Sequence, residues 1–274
     1  MTLLQRFRAN AVAGVRRLLR PSRIPPDRRA ALWPVRGWIG VSALAAILIV
    51  VAVSMLLLDV SLVNHARELP DWVHETFGWI TWFGVSGWFL WPTTLLLIAI
   101  AASRWTKLTP FSQGVLAAIS IRISFILLAI GVPALVVGII KRLIGRGRPY
   151  VSDAIDPFSY VPFGWESNYA SFPSGHATNA FAVAIAIGAL WPSMRIPMWT
   201  FAVLIAISRV IVNAHFPSDV IAGALAGTVG ALMVRSWFAA RHLGFTIGSD
   251  GVIHRLPGPS WRRVKEVAGR LLGQ

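Results

Sequence analysis

Six runs of apolar residues, each long enough as a helix to cross roughly 30 Å of hydrocarbon, leave this chain few folds to choose from. They lie at about 38–58, 84–102, 123–140, 173–191, 196–212 and 220–238 of its 274 residues. The stretches between them are too short to build a core of their own, so no soluble domain of useful size is expected. Charged residues make up 14% of the chain, where a soluble domain carries about a quarter. The expected fold is therefore all-α, a polytopic membrane protein of six transmembrane helices. No internal repeat is evident, which argues against a transporter built from inverted halves. With no cysteine in the chain, disulfides, thiolate metal sites and cysteine nucleophiles are excluded.

The formal net charge is +15, and 23 of the 26 basic residues are Arg. Nucleic acid is one partner for such a charge. The basic residues flank the spans instead of forming a soluble basic face, so an anionic lipid surface is the better reading and nucleic acid is set aside. Residues 1–37 hold nine Arg and a single acid, Asp27. Leu4, Phe7, Ala11, Val15 and Leu18 recur at helical spacing, which predicts a basic amphipathic helix on the cytoplasmic membrane face. A transit peptide shares that composition, whereas a cleaved signal peptide fits poorly because the first apolar run begins late and is long. The segment 70–80 reads as a short interfacial helix with Trp at headgroup level. In the tail, 245–253 reads as a small hairpin around a glycine turn and 260–272 as a second basic amphipathic helix. The domain division that follows is a basic cytoplasmic arm (1–37), a six-helix domain (38–238) and a basic cytoplasmic tail (239–274).

Six spans put both termini on one side, which collects 20 basic residues against 6 on the other. By the positive-inside rule that side is the cytoplasm. The loop 141–171 and the junction 215–219 then face outward together, toward the periplasm or exterior of a bacterial-type inner membrane.

Three polar segments meet on that outward face. In the first, Ile207 to Asp219, a short turn between two apolar runs carries Arg209, His215 and Asp219. Pro217 suits the first turn of the next helix, and Asp219 in that turn is favoured by free N–H groups and the helix dipole. An oriented histidine beside a buried arginine suits a nucleophile next to an anion clamp. In the second, Lys141 to Pro149, glycines 145 and 147 and the proline break the helix so that Lys141 and Arg148 curl round one target. In the third, Ser171 to His176, Pro173, Ser174 and Gly175 expose N–H groups at a helix N-terminus, a ready anion site, with His176 beside it. The plainer readings are a polar membrane loop, a snorkelling basic cluster and an N-cap followed by a chance histidine. Cations and N–H donors converging with two histidines suit a tetrahedral dianion and phosphoryl transfer.

Lys-x6-Arg-Pro (Lys141 to Pro149), Pro-Ser-Gly-His (Pro173 to His176) and Ser-Arg-x5-His-x3-Asp (Ser208 to Asp219) resemble, in residue, spacing and order, the three-part signature of the type 2 phosphatidic acid phosphatase superfamily. That family holds membrane lipid phosphatases and soluble relatives, including vanadium haloperoxidases. The signature covers 141–219 and the six-span layout extends the likeness to about 38–238. The resemblance implies a catalytic group in which His215 is the nucleophile, forming a phosphohistidine, with Asp219 orienting its ring and His176 as general acid. It implies phosphate binding by Lys141, Arg148, Arg209, Ser174 and the Gly175 N–H, and implies neither a metal nor a cofactor. Arg142 and Arg146 lie nearby with no assigned target.

The activity expected from the resemblance is hydrolysis of a phosphomonoester or pyrophosphate on a membrane lipid. Transfer of the phosphate to another lipid or sugar needs the same first half-reaction, and a non-catalytic lipid-binding or transport protein is the further alternative. Haloperoxidase chemistry fits poorly, because those relatives are soluble. Phosphatidic acid, phosphatidylglycerol phosphate, polyprenyl pyrophosphate and the phosphates of lipid A all present the same dianion. Phe158, Tyr160, Phe163, Trp165 and Tyr169 either line a lateral access path for the lipid or form an ordinary aromatic belt. His65, His74, His242 and His254 match no motif.

Overall fold

The computed structural model describes residues 2–24, 37–105, 108–152 and 154–272. Ten helices carry nearly all of its regular structure among those residues. They are α1 (Leu3–Leu18), α2 (Gly37–Leu57), α3 (Asp59–Arg67), α4 (Asp71–Trp82), α5 (Gly87–Ala102), α6 (Pro110–Ile144), α7 (Gly175–Leu190), α8 (Arg195–Ile211), α9 (Pro217–Ala240) and α10 (Trp261–Leu272). A two-stranded antiparallel hairpin, β1 (Phe245–Ile247) and β2 (Ile253–Arg255), pairs Phe245 with Arg255 and Ile247 with Ile253. The chain is thus mostly helical, and among the described residues five stretches are long and apolar enough to cross a membrane: 40–57, 71–102, 110–144, 192–211 and 217–240.

Two of the six expected runs form helices of other lengths. The run at 173–191 forms α7, only 16 residues long, and ten of those are buried. A helix enclosed on most sides shows no apolar stripe, and its alanines and Thr178 and Asn179 are there to pack. The run at 123–140 is the C-terminal part of a 35-residue helix that begins at Pro110. Hydropathy truncates it because Ser112, Gln113, Ser120 and Arg122 look like a polar boundary. Their side chains are instead satisfied within the fold: Ser112 Oγ accepts from Thr109 Oγ1, Ser120 donates to Leu116 O, Gln113 to Trp105 O and Leu108 O, and Arg122 to Leu256 O and Pro257 O in the tail. Arg28, Arg29, Arg36 and Lys107, counted in the charge asymmetry, lie outside the described residues.

The chain divides into two compact units. One comprises the described residues up to 33, 89–128 and those from 233 onward. Here α1 docks through Asn10, whose amide donates to Ala101 O and Ser103 O. The tail folds back so that Phe125 meets Phe238 and Phe245 edge-on, and Val267 of α10 is buried with Leu108, Val115 and Leu116.

The other unit, 34–88 and 129–232, holds the three polar segments. At its centre α7 packs on α8, where Ala180 and Ala184 meet Ala202 and Ile205. It also meets α9 at backbone distance. A Cβ added at Gly223 or Gly227 would fall 2.3 Å from Ser174 O or 2.2 Å from Thr178 O. Small residues four apart let two helices approach this closely, and only glycine fits. That contact sets the N-terminus of α7 against the first turn of α9.

Candidate active site

The turn between α8 and α9 is built by its sequence. Asn213 takes a left-handed backbone (φ 54°), which asparagine tolerates better than most residues. The chain then doubles back, so that Ala214 N and His215 N both donate to Arg209 O (3.1 and 3.2 Å). Pro217 opens α9 as expected, which makes Asp219 its third residue. Asp219 Oδ2 reaches back to accept from Phe216 N (2.9 Å), half of a capping box. His215 and Arg209 are thereby held one turn apart, both buried.

Asp219 is fully buried and has more partners than the sequence suggested. Ser171 Oγ donates to Oδ2 (2.5 Å) and Arg146 Nη1 to Oδ1 (2.5 Å). Its carbonyl accepts from Ser174 N (2.9 Å), which ties the start of α7 to α9. His215 Nδ1 stands 3.6 Å from Asp219 Oδ2 and 3.4 Å from Ser171 Oγ. The carboxylate therefore faces the ring at ion-pair distance, with the serine hydroxyl beside both.

Arg146 is entirely enclosed. Besides Asp219 it donates to Ser218 Oγ (2.8 Å), Asp59 Oδ2 (2.8 Å) and Pro157 O (2.9 Å), and its guanidinium lies over the Phe216 ring. Asp59, at the start of α3, also accepts from Ser218 N and Ser218 Oγ (2.9 and 2.6 Å). It thus occupies a free N–H of the α9 N-terminus from another helix. Burial opposes the charge on Arg146, but Asp219 and Asp59 outweigh it, so its pKa is raised. Burial pushes His215 the other way, to about 4, against the pull of Asp219.

Lys141, Arg148, Ser174, Gly175, His176 and Arg209 come together as the motifs suggest. Lys141, Arg148, Arg209 and His215 all act electrostatically on His176. Lys141 Nζ lies 3.5 Å from where a Cβ on Gly175 would stand. Arg209 Nη1 donates to Thr81 Oγ1 (2.6 Å), which positions the guanidinium. Ser174 Oγ, Arg148 Nε and Arg209 Nε are buried and hydrogen-bond to nothing in the protein. Buried donors of this kind cost free energy unless a ligand meets them, and three cationic side chains beside them call for an anion. Among the described residues no group of three His, Asp or Glu side chains gathers to hold a metal ion.

Sequence reasoning missed Asp59, Thr81, Ser171 and Ser218, and left Arg146 without a target. Two signals were present. Asp59 is an acid directly after an apolar run, and Arg146 sits on the face expected to be poor in Lys and Arg. Each hints at a buried partner, but neither names it. Arg142 belongs elsewhere, donating to Trp165 O and Glu166 O.

The chain matches the model of the PAP2 superfamily over residues 122–243. It is 33% identical over 201 residues to a lipid A 1-phosphatase of Rhizobium johnstonii, covering 73% of this chain and 82% of that one. It is also 33% identical over 138 residues to an undecaprenyl-diphosphatase of Sulfolobus acidocaldarius, covering 46% of this chain and 59% of that one. A transmembrane PAP2-type phosphatidylglycerolphosphate phosphatase from Bacillus subtilis has a similar fold, with a TM-score of 0.51 at 24% identity over 71% of this chain and 93% of that one.

Proposed function

This chain belongs to the PAP2 superfamily and is a membrane lipid phosphatase, and on that premise we propose that His215 carries the phosphoryl group between lipid and water. The observation that supports this reading most is the set of buried, unpartnered donors of Ser174, Arg148 and Arg209 gathered beside a buried imidazole. Those donors, with Lys141 and the Gly175 N–H, bind the phosphate oxygens and neutralise charge as it builds in the transition state. His215 Nδ1 faces Ser171 and Asp219, so Nε2 attacks phosphorus. With its pKa near 4, the ring is neutral and its lone pair available at pH 7. As the N–P bond forms, the P–O bond to the lipid breaks and the leaving oxygen takes a proton from His176, whose imidazolium is opposed by burial and by Arg209, Lys141 and Arg148 and is favoured once the phosphate dianion sits among those cations. Water then attacks the phosphohistidine and gives a proton to His176, and inorganic phosphate leaves.

The substrate is a lipid phosphate, and the 1-phosphate of lipid A is the first candidate because the Rhizobium relative is a lipid A 1-phosphatase. The domain lies in an inner membrane with the site outward. The basic arm (1–37) and tail (239–274) rest on the anionic cytoplasmic leaflet.

A phosphate-release panel over lipid A, undecaprenyl diphosphate, phosphatidylglycerol phosphate and phosphatidic acid tests the substrate, with lipid A expected to turn over fastest. Release from none of the four would reject the reading. Rapid quench with radiolabelled substrate tests the nucleophile. The trapped label should be acid-labile, as a phosphoramidate is, and absent from His215→Ala; an acid-stable ester on Ser174 would overturn the assignment. His176→Ala should still form the intermediate from nitrophenyl phosphate, whose leaving group needs no proton, while losing lipid phosphate turnover. Single cysteines at Ser159 and Ser249 test orientation, since only the first should react with an impermeant thiol reagent on intact cells.

A further inference from the structure

The segment carrying Lys141, Arg146 and Arg148 is bound along its length to the loop that follows it. Val161 N donates to Gly145 O (2.7 Å), Gly147 N to Ser159 O (2.9 Å), Arg148 N to Asn168 O (2.9 Å) and Ser171 N to Arg146 O (3.0 Å). Gly145 sits at φ 63°, and a Cβ there would fall 1.8 Å from Val161 O, so the two strands touch at backbone level. Whatever holds this loop in place also holds the phosphate-binding segment.

The loop tip is apolar and turned outward. Phe163 is 71% exposed and Trp165 84% exposed. Phe163 also has φ 62°, a left-handed backbone that an aromatic residue adopts at some cost. Packing within the protein offsets little of that cost, because so much of the ring lies outside. The tip is continuous with a lipid-facing surface. Leu135, Ile139 and Leu143 stand exposed at four-residue spacing along α6, a membrane-spanning helix with no water to face. Arg142, beside the last of them, grips Trp165 O at 2.5 Å. An apolar stripe that rises along a span and ends in an exposed Phe and Trp marks the level where hydrocarbon gives way to headgroups.

Resting on the lipid phosphatase reading, we propose that the Phe163–Trp165 tip seats in the bilayer interface and so fixes the Lys141–Pro149 segment at phosphate depth. The partner is the lipid surface itself. The tip thereby favours a phosphate presented by a bilayer over the same group on a soluble molecule.

The test compares two substrates and adds a position-sensitive probe. In the double variant Phe163→Ser/Trp165→Ser, KM for a lipid phosphate in phosphatidylcholine vesicles should rise at least about fivefold, while kcat/KM for nitrophenyl phosphate in detergent stays within about twofold. An unchanged vesicle KM, or an equal loss on both substrates, overturns the proposal; the second result would make the tip a support for the segment alone. Separately, Trp165→Cys in this cysteine-free chain accepts a single fluorophore. In nanodiscs it should be quenched by lipids spin-labelled at the headgroup, and absence of quenching also overturns the proposal. If the wild-type protein hydrolyses neither substrate, the phosphatase reading fails, and the quenching result still decides whether the tip meets lipid.

Discussion

Two neighbouring groups of buried polar residues in this protein are arranged on opposite terms. Around Asp219, opposite charges interleave: Arg146 reaches four acceptors, and Asp59 and Asp219 accept from it and from the start of α9. Around His176, charges of one sign gather: Lys141, Arg148 and Arg209 converge with buried donors that meet nothing in the protein. The first arrangement stabilises the fold around the histidine. The second destabilises it and is compensated only when an anion binds. The fold and the proposed phosphate binding thus draw on different residues a few positions apart in the same motif, with Arg146 in the first group and Arg148 in the second.

The largest effect should follow from breaking the first group. Arg146→Met leaves Asp59 and Asp219 buried without their cation, and removing one partner from a buried ion network costs about 3–5 kcal/mol. That is a large share of a total of roughly 5–15 kcal/mol. Thermal unfolding in detergent should show a sharp fall in Tm, with a smaller fall for Arg146→Lys, which keeps the charge but cannot match the fork geometry. An unchanged Tm for Arg146→Met would erase the contrast.

Breaking the second group should do the reverse. Arg148→Ala and Arg209→Ala each remove a charge-assisted contact worth about 1.5–3 kcal/mol, so kcat/KM falls at least about tenfold. Their Tm without ligand should hold or rise, because like charges are relieved. Inorganic phosphate should raise the wild-type Tm by mass action and do so less in either variant. A loss of Tm matching that of Arg146→Met would place these arginines in the structural group.

The histidine between the groups gives a smaller, pH-dependent effect. Its folded pKa of about 4 lies below the roughly 6.5 of a free imidazole. The ring therefore stays neutral as pH falls from 7 to 5, and phosphoenzyme formation from nitrophenyl phosphate, whose leaving group needs no proton, should change by less than about threefold over that range. The same sign costs stability: the unfolded chain takes up this proton first, so folding weakens as pH drops from about 6.5 toward 4. Single-turnover rates against pH check the first point, and an acid limb near 6.5 would mean a solvated ring. The least effect belongs to Arg142→Ala, which touches loop carbonyls and not the cradle. On nitrophenyl phosphate it should cost less than about threefold.

Much of the candidate site was legible in the sequence because its residues sit at helix boundaries that the sequence also marks. Pro217 announces the start of α9, and Ser174 and Gly175 that of α7, so the residues beside them share one face once both helices stand in a membrane. The support was not legible. Asp59 lies 87 residues before Arg146, and no local rule pairs an acid after one span with an arginine after another. The pair Gly223 and Gly227 was a readable signal for close helix contact, but it does not say which helix approaches.

By itself the sequence determined that the chain is a helical membrane protein, and it marked the helix ends and the two histidines that the fold brings together. Long apolar runs, prolines and helix N-termini act over a few residues and need no partner to be recognised. Tertiary structure alone decided the rest. It enclosed α7, ten of whose 16 residues are buried. It also decided that Arg146 faces Asp59 and Asp219 while Arg148 faces the cradle. Those outcomes depend on which surfaces meet and how much water is excluded, which are properties of packed helices and not of any one segment.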